Sequence, residues 1–201
     1  MRNAKISLPL ALVALAAAML VSASTATAAD EKVANKDKKF ITEAASGGML
    51  EVRLGEYASK NATNQAVKDF GQQMVTDHSR ANEQLMTLAQ SKGVDVPKEL
   101  DKKEQKTYDR LTKMSGADFD KAYMKEMVKD HEKDVKEFEK EAKDGKDEEI
   151  KKFASDNVET LRHHLEMART TAESVGAGGG KTEGHGDNGN AGHGDHGKKD
   201  K

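Results

Sequence analysis

Between residues 64 and 92, Val67, Phe70, Met74, His78, Ala81, Leu85 and Leu88 step by 3, 4, 4, 3, 4 and 3. This spacing keeps one helix face in register for about six turns. Residues 117–144 do the same through Phe119, Tyr123, Met127, His131, Val135 and Phe138, and residues 147–175 through Ile150, Ala154, Asn157, Leu161, His164, Ala168, Thr171 and Val175. An earlier stretch, 38–60, carries Phe40, Ala44, Gly47 or Gly48, Leu54 and Ala58 on its apolar side. Its glycines, Gly47, Gly48 and Gly55, each lower helix propensity by about 1 kcal/mol relative to Ala, so their expected use is close approach of a neighbouring helix. Thr63 or Asn64 and Asp147 are the expected N-caps, and Gly93 and Gly145 the expected stops. Pro97 interrupts the connection over 93–117, which has room for a short helix from Lys102 to Met114 with Tyr108 and Leu111 inward. The pattern predicts an all-α four-helix bundle over residues 38–175, with a long connection between helices 2 and 3.

Three of the four seams contain a histidine. Met74-Val75-Thr76-Asp77-His78 recurs 53 residues on as Met127-Val128-Lys129-Asp130-His131, with Phe70 matched by Tyr123 and Leu85 by Phe138. An imidazole on a buried face is costly unless something satisfies it. His78, His131 and His164 each lie near the middle of a helix, and Glu51 reaches the same level on the first. Three imidazoles and a carboxylate at one height suit zinc or another first-row divalent ion, and the neighbouring Met74 and Met127 would instead favour copper(I). The competing reading is a hydrogen-bonded polar core without metal, because a buried His can be satisfied by a carboxylate, a carbonyl or water. Asp77 and Asp130 precede their His by one residue and turn about 100° away, which makes them rim hydrogen-bonders rather than ligands.

Composition adds an address. Arg2 and Lys5, the apolar run Leu8–Val21 and Ala26-Thr27-Ala28 form a secretion signal over residues 1–28, and the run is too short for a comfortable membrane span. The expected location is periplasmic or secreted. Without Arg2 and Lys5 the 33 basic residues become 31 against 35 acidic, which leaves no basic surplus for a nucleic-acid backbone. There is no cysteine, hence no disulfide, thiolate site or lipid anchor. Residues 29–37 are expected as a flexible arm, and no transmembrane segment follows the signal. Residues 176–201 read as a disordered Gly/His/Asp-rich tail, in which His185, His193 and His196 form a weak second chelating set beside the equal reading of a plain spacer.

The blocks Gly47-Gly48-Met49-x-Glu51-Val52-x-Leu54-Gly55, Met74-Val75-x-Asp77-His78, Met127-Val128-x2-His131 and Leu161-x2-His164-Leu165-x2-Ala168 resemble the family of domain of unknown function 4142. That family is often labelled predicted outer membrane protein. The resemblance covers residues 38–175. It implies a ferritin-like four-helix bundle and brings no established activity. Ferritin-like di-iron enzymes use Glu-x-x-His on two helices, but here Val75, Val128 and Leu161 stand three before each seam His. No nucleophile elbow, Ser/His/Asp set or phosphate loop is present in the sequence, so the expectation leans away from an enzyme. It is an exported helical bundle that holds zinc or copper at Glu51, His78, His131 and His164. The alternative is a structural or stress-related envelope protein with a metal-free His core. A homo-oligomer is compatible with either.

Overall fold

A computed structural model describes residues 33–178, and within them there are five helices and no strand. They are α1 (Asn35–Asn61), α2 (Gln65–Ser91), α3 (Lys102–Thr112), α4 (Gly116–Asp144) and α5 (Glu148–Ser174). The count is thus five rather than four, and the extra element is the short helix anticipated in the connection. The caps follow local chemistry. Asn64 accepts from the backbone N–H of Ala66, Asp147 from those of Glu149 and Ile150, and Asp101 and Glu104 form a reciprocal capping box. Gly93, at φ +61°, takes the left-handed conformation that ends α2.

Two buried carboxylates fix the helix directions. Asp120, at the start of α4, accepts from the backbone N–H groups of Thr63 (3.1 Å) and Asn64 (2.8 Å) in the α1–α2 turn. Asp37, at the start of α1, accepts from those of Lys146 (3.0 Å) and Asp147 (2.8 Å) in the α4–α5 turn. So α1 and α5 start at one end of the bundle, and α2 and α4 at the other. The two helices that share the repeated pentapeptide run parallel. Residues 92–115 must therefore travel back along the bundle. They carry α3, which packs on α1 and α4 with Leu111 fully buried and the Tyr57 hydroxyl donating to the Thr112 carbonyl at 3.0 Å.

The start of α1 departs from expectation. The helix begins at Asn35, and Val33 and Asp37, placed by sequence in a solvated arm, are buried. A carboxylate in a charged run looks solvated in one dimension, but here two turn amides donate hydrogen bonds to its Oδ2. The signal region, residues 29–32 of the arm and the tail beyond 178 lie outside the described residues.

The backbones of α1 and α2 come close together at Gly55 and Gly71. A Cβ on Gly71 would stand 2.9 Å from the Gly55 carbonyl oxygen, and one on Gly55 2.6 Å from that of Gly71. At Gly47 a Cβ meets nothing within 4 Å. Gly71→Ala is therefore expected to destabilise the fold by about 1–3 kcal/mol through overpacking. Gly47→Ala should be neutral or stabilising by up to about 1 kcal/mol through helix propensity. Urea unfolding of the two variants checks this, and equal midpoints would contradict it.

Candidate metal centre

The apolar interior is divided in two. One cluster gathers Leu54, Phe70, Met74, Leu111, Phe119, Tyr123 and Met127, and the other Phe40, Ile41, Leu85, Ala89, Ile150 and Ala154. Between them lies a buried polar layer. Glu51, His78, His131 and His164 are 1%, 7%, 0% and 1% exposed, so each of the four long helices sends a polar side chain out of bulk solvent and into this layer.

The rings of His78, His131 and His164 stand 5.2–5.6 Å apart between centroids. One potential ligand nitrogen from each lies within 4.8 Å of those of the other two. Two of the rings are held by a hydrogen bond, and the third by a close carboxylate contact. His131 Nδ1 is 2.9 Å from the Met127 carbonyl, one turn back on α4, and that carbonyl can only accept. His164 Nε2 is 2.9 Å from Asp77 Oδ2, across from α5 to α2. His78 Nδ1 is 2.9 Å from Glu51 Oε2, across from α2 to α1. A carbonyl and an ionised Asp77 can only accept, so His131 Nδ1 and His164 Nε2 carry the protons of those neutral rings. His131 Nε2 and His164 Nδ1 are then lone pairs, and these two and His78 Nε2 are buried and without a hydrogen-bond partner. Glu51 Oε1 is in the same condition, 3.4 Å from His131 Nε2.

Burial governs the charge states. It drives His78, His131 and His164 down to about 4, against the pull of the nearby carboxylates. It pushes Glu51 up to about 7, opposed by His131 and Lys133. Near neutrality the imidazoles are uncharged rather than partners in ion pairs. Burial would raise Asp77 as well, but hydrogen bonds from Gln73 and His164 and the Arg80 charge outweigh it and hold the carboxyl below its usual range.

The four residues named from sequence thus lie in one layer, with a division of labour. The three imidazoles converge. Glu51 contacts His78 and His131 and also meets Asp130 and Asp134, one oxygen of each lying within 4.8 Å of the others. Asp77 is a rim hydrogen-bonder, as its position predicts. Asp134 is missed by the sequence reading, which gives the inward place to Val135. Its signal is the spacing: Asp134 follows Asp130 by four and His131 by three, so it shares their face of α4. Asp130 likewise turns inward at Oδ2, which is buried without a partner. Asn157, on the α5 seam, donates to the Phe153 carbonyl at 2.8 Å. His185, His193 and His196 lie outside the described residues.

A family model for a domain of unknown function, DUF4142, matches residues 22–171. The chain belongs to the DUF4142 family. No curated protein matches it. The crystal structure of a DUF305 fragment from Deinococcus radiodurans is similar, with a TM-score of 0.60 and 12% identity over 72% of this chain and 97% of that one. At that identity the likeness shows a shared fold and nothing of activity. The polar layer of this DUF4142 chain is therefore read from its own geometry. Among the described residues no helix is long and apolar enough to cross a membrane.

Proposed function

We propose that this DUF4142 protein is an exported, non-enzymatic metal-binding bundle that holds one zinc or copper ion through His78, His131 and His164. The observation that carries the reading is the convergence of three buried imidazoles from three helices, each with a nitrogen within 4.8 Å of the others' and each with a buried nitrogen that has no partner. A core that needed only hydrogen bonds would leave no such set, because an unpaired buried acceptor costs about 1–3 kcal/mol. Zinc ligands stand about 2.0–2.1 Å from the ion and hence about 3.3 Å from one another. A contraction of roughly 1.5 Å at most brings the nitrogens from 4.8 Å to that spacing. Carboxylate or carbonyl acceptors behind each ring are the outer partners such ligands ordinarily have. Glu51 backs His78 and can also offer Oε1. Met74 and Met127 pack in the apolar cluster, so the donors without partners are nitrogen and oxygen, which favours zinc over copper(I).

Two further parts belong to the proposal. The direction pattern, with one long crossover joining parallel α2 and α4, supports a ferritin-like bundle. The charged start, apolar run and small-residue site of residues 1–28 support export to the periplasm or medium.

Element analysis of the full chain with His185, His193 and His196 replaced by alanine tests the metal. About one equivalent is expected. The further His78→Ala, His131→Ala pair should hold none. Equal content in the two proteins would remove the core site.

A further inference from the structure

The histidines do not account for every unpaired group in the layer. Glu51, Asp130 and Asp134 bring three carboxylates together, each offering an oxygen within 4.8 Å of the other two. Asp134 is 9% exposed and Glu51 1%. Lys133 Nζ lies 3.8 Å from Asp134 Oδ1, but it is 3.0 Å from Glu137 Oε2 and its side chain is half exposed. One surface lysine shared with Glu137 does not neutralise two buried acids and a third that is partly buried. Buried charges are ordinarily paired or coordinate metals.

Two observations outside the acidic cluster point to a ligand. The unpartnered Nε2 of His131, 0% exposed, faces Glu51 Oε1 at 3.4 Å, so a nitrogen lone pair and a carboxylate oxygen confront each other with nothing between them. A cavity of about 40 Å³ is bounded by Glu51 and Asp134, though not by Asp130, and extends past Asp77, His78, Arg80 and His164. That is room for a few water molecules, and a hard divalent cation keeps waters when few protein ligands reach it. The acidic lining favours a cation there over an anion.

We propose that Glu51, Asp130 and Asp134 form a second cation site, taking a hard divalent ion of the manganese and magnesium class, with Glu51 linking it to the histidine site. An all-oxygen donor set selects such ions, whereas the imidazoles beside it select zinc or copper. The layer then holds two unlike cations. The acidic site stands on its own groups; only the pairing rests on the proposed histidine site.

Manganese(II) is the probe. The full chain with His185, His193 and His196 replaced by alanine is loaded with one equivalent of zinc and titrated with manganese, and the free ion is read by electron paramagnetic resonance. One manganese per chain is expected, with zinc retained. Asp130→Asn with Asp134→Asn should weaken manganese at least tenfold and keep the zinc. These changes remove buried charge at constant shape, and the helical circular dichroism should be unchanged. Lys133→Gln leaves all three carboxylates and should bind manganese as well or better. A parent protein that holds zinc but no manganese overturns the proposal. So does an asparagine variant, or either single asparagine substitution made where the pair does not fold, that binds manganese as the parent does. If the parent binds manganese through these aspartates but holds no zinc, the histidine reading falls and this one stands.

Discussion

Zinc at a hundredfold excess over its dissociation constant is expected to stabilise the folded protein by about 2.7 kcal/mol, and at a thousandfold excess by about 4 kcal/mol. For a domain of this size that is a rise in melting temperature of roughly 5–15 °C. The gain comes from mass action. The ligand nitrogens are brought within 4.8 Å of one another only by the packing of α2, α4 and α5, so the unfolded chain cannot offer them together. His131→Ala should abolish the rise, because it removes the ligand whose ring is anchored to its own helix at the Met127 carbonyl. Asp77→Ala should leave all three ligands and weaken binding by roughly 10–100-fold, because it frees the His164 ring to turn. Differential scanning calorimetry with and without zinc, on protein whose tail histidines are replaced, measures all three. A wild-type midpoint that zinc does not move would leave the layer as a polar core that lacks a ligand.

The metal-free protein carries a second large effect, in its response to pH. Its histidines and carboxylates pull in opposite directions. Each of His78, His131 and His164 is held to about 4 when folded, against 6.5 when unfolded. Between those values the unfolded chain binds more protons, so this part of the stability is complete above about pH 6.5 and is lost as pH falls toward 4. Asp130 is the reverse case. Burial, with Glu51 beside it, pushes it up to about 7 from 3.8. The folded state then holds the proton longer, so its contribution is lost as pH rises from about 4 to 7. Glu51 behaves alike, and Asp134 is raised in the same direction by burial and the same neighbours. The opposed sets flatten the profile of the metal-free parent between pH 4 and 7. Asp130→Asn should therefore stabilise that protein at pH 8 by a few kcal/mol, up to about 4, and leave it unchanged near pH 4. It should also steepen the loss of stability in acid, because the histidine contribution is then less opposed. Guanidinium unfolding at pH 4, 6 and 8 in the presence of a chelator decides. An asparagine variant less stable than the parent at pH 8 would mean that the Asp130 carboxylate is paired in solution.

The family model and the helices agree on what was legible in one dimension. The apolar steps of three and four marked every long helix to within a few residues, because a buried stripe on an α-helix has one period. The caps at Asn64 and Asp147 and the stop at Gly93 were equally local, each set by a side chain or backbone angle within a turn. The seam positions of His78, His131 and His164 followed from the same period. So did their mid-helix level, whichever way the helices ran.

Direction, pairing and charge lay beyond that period. That α2 and α4 run parallel depends on Asp37 and Asp120 each reaching the opposite hairpin, more than fifty residues away in sequence. Gly71 matters because α1 lies against it, and its flanking residues carry no sign of that. Asp134 lies beside the expected inward position, Val135, and its place in the layer depends on the packing of α1, which brings Glu51 within reach. A helical pattern reports which face is buried and how regularly. What that face meets depends on groups carried by other helices, and the protonation and ligand chemistry of the layer are set by those neighbours.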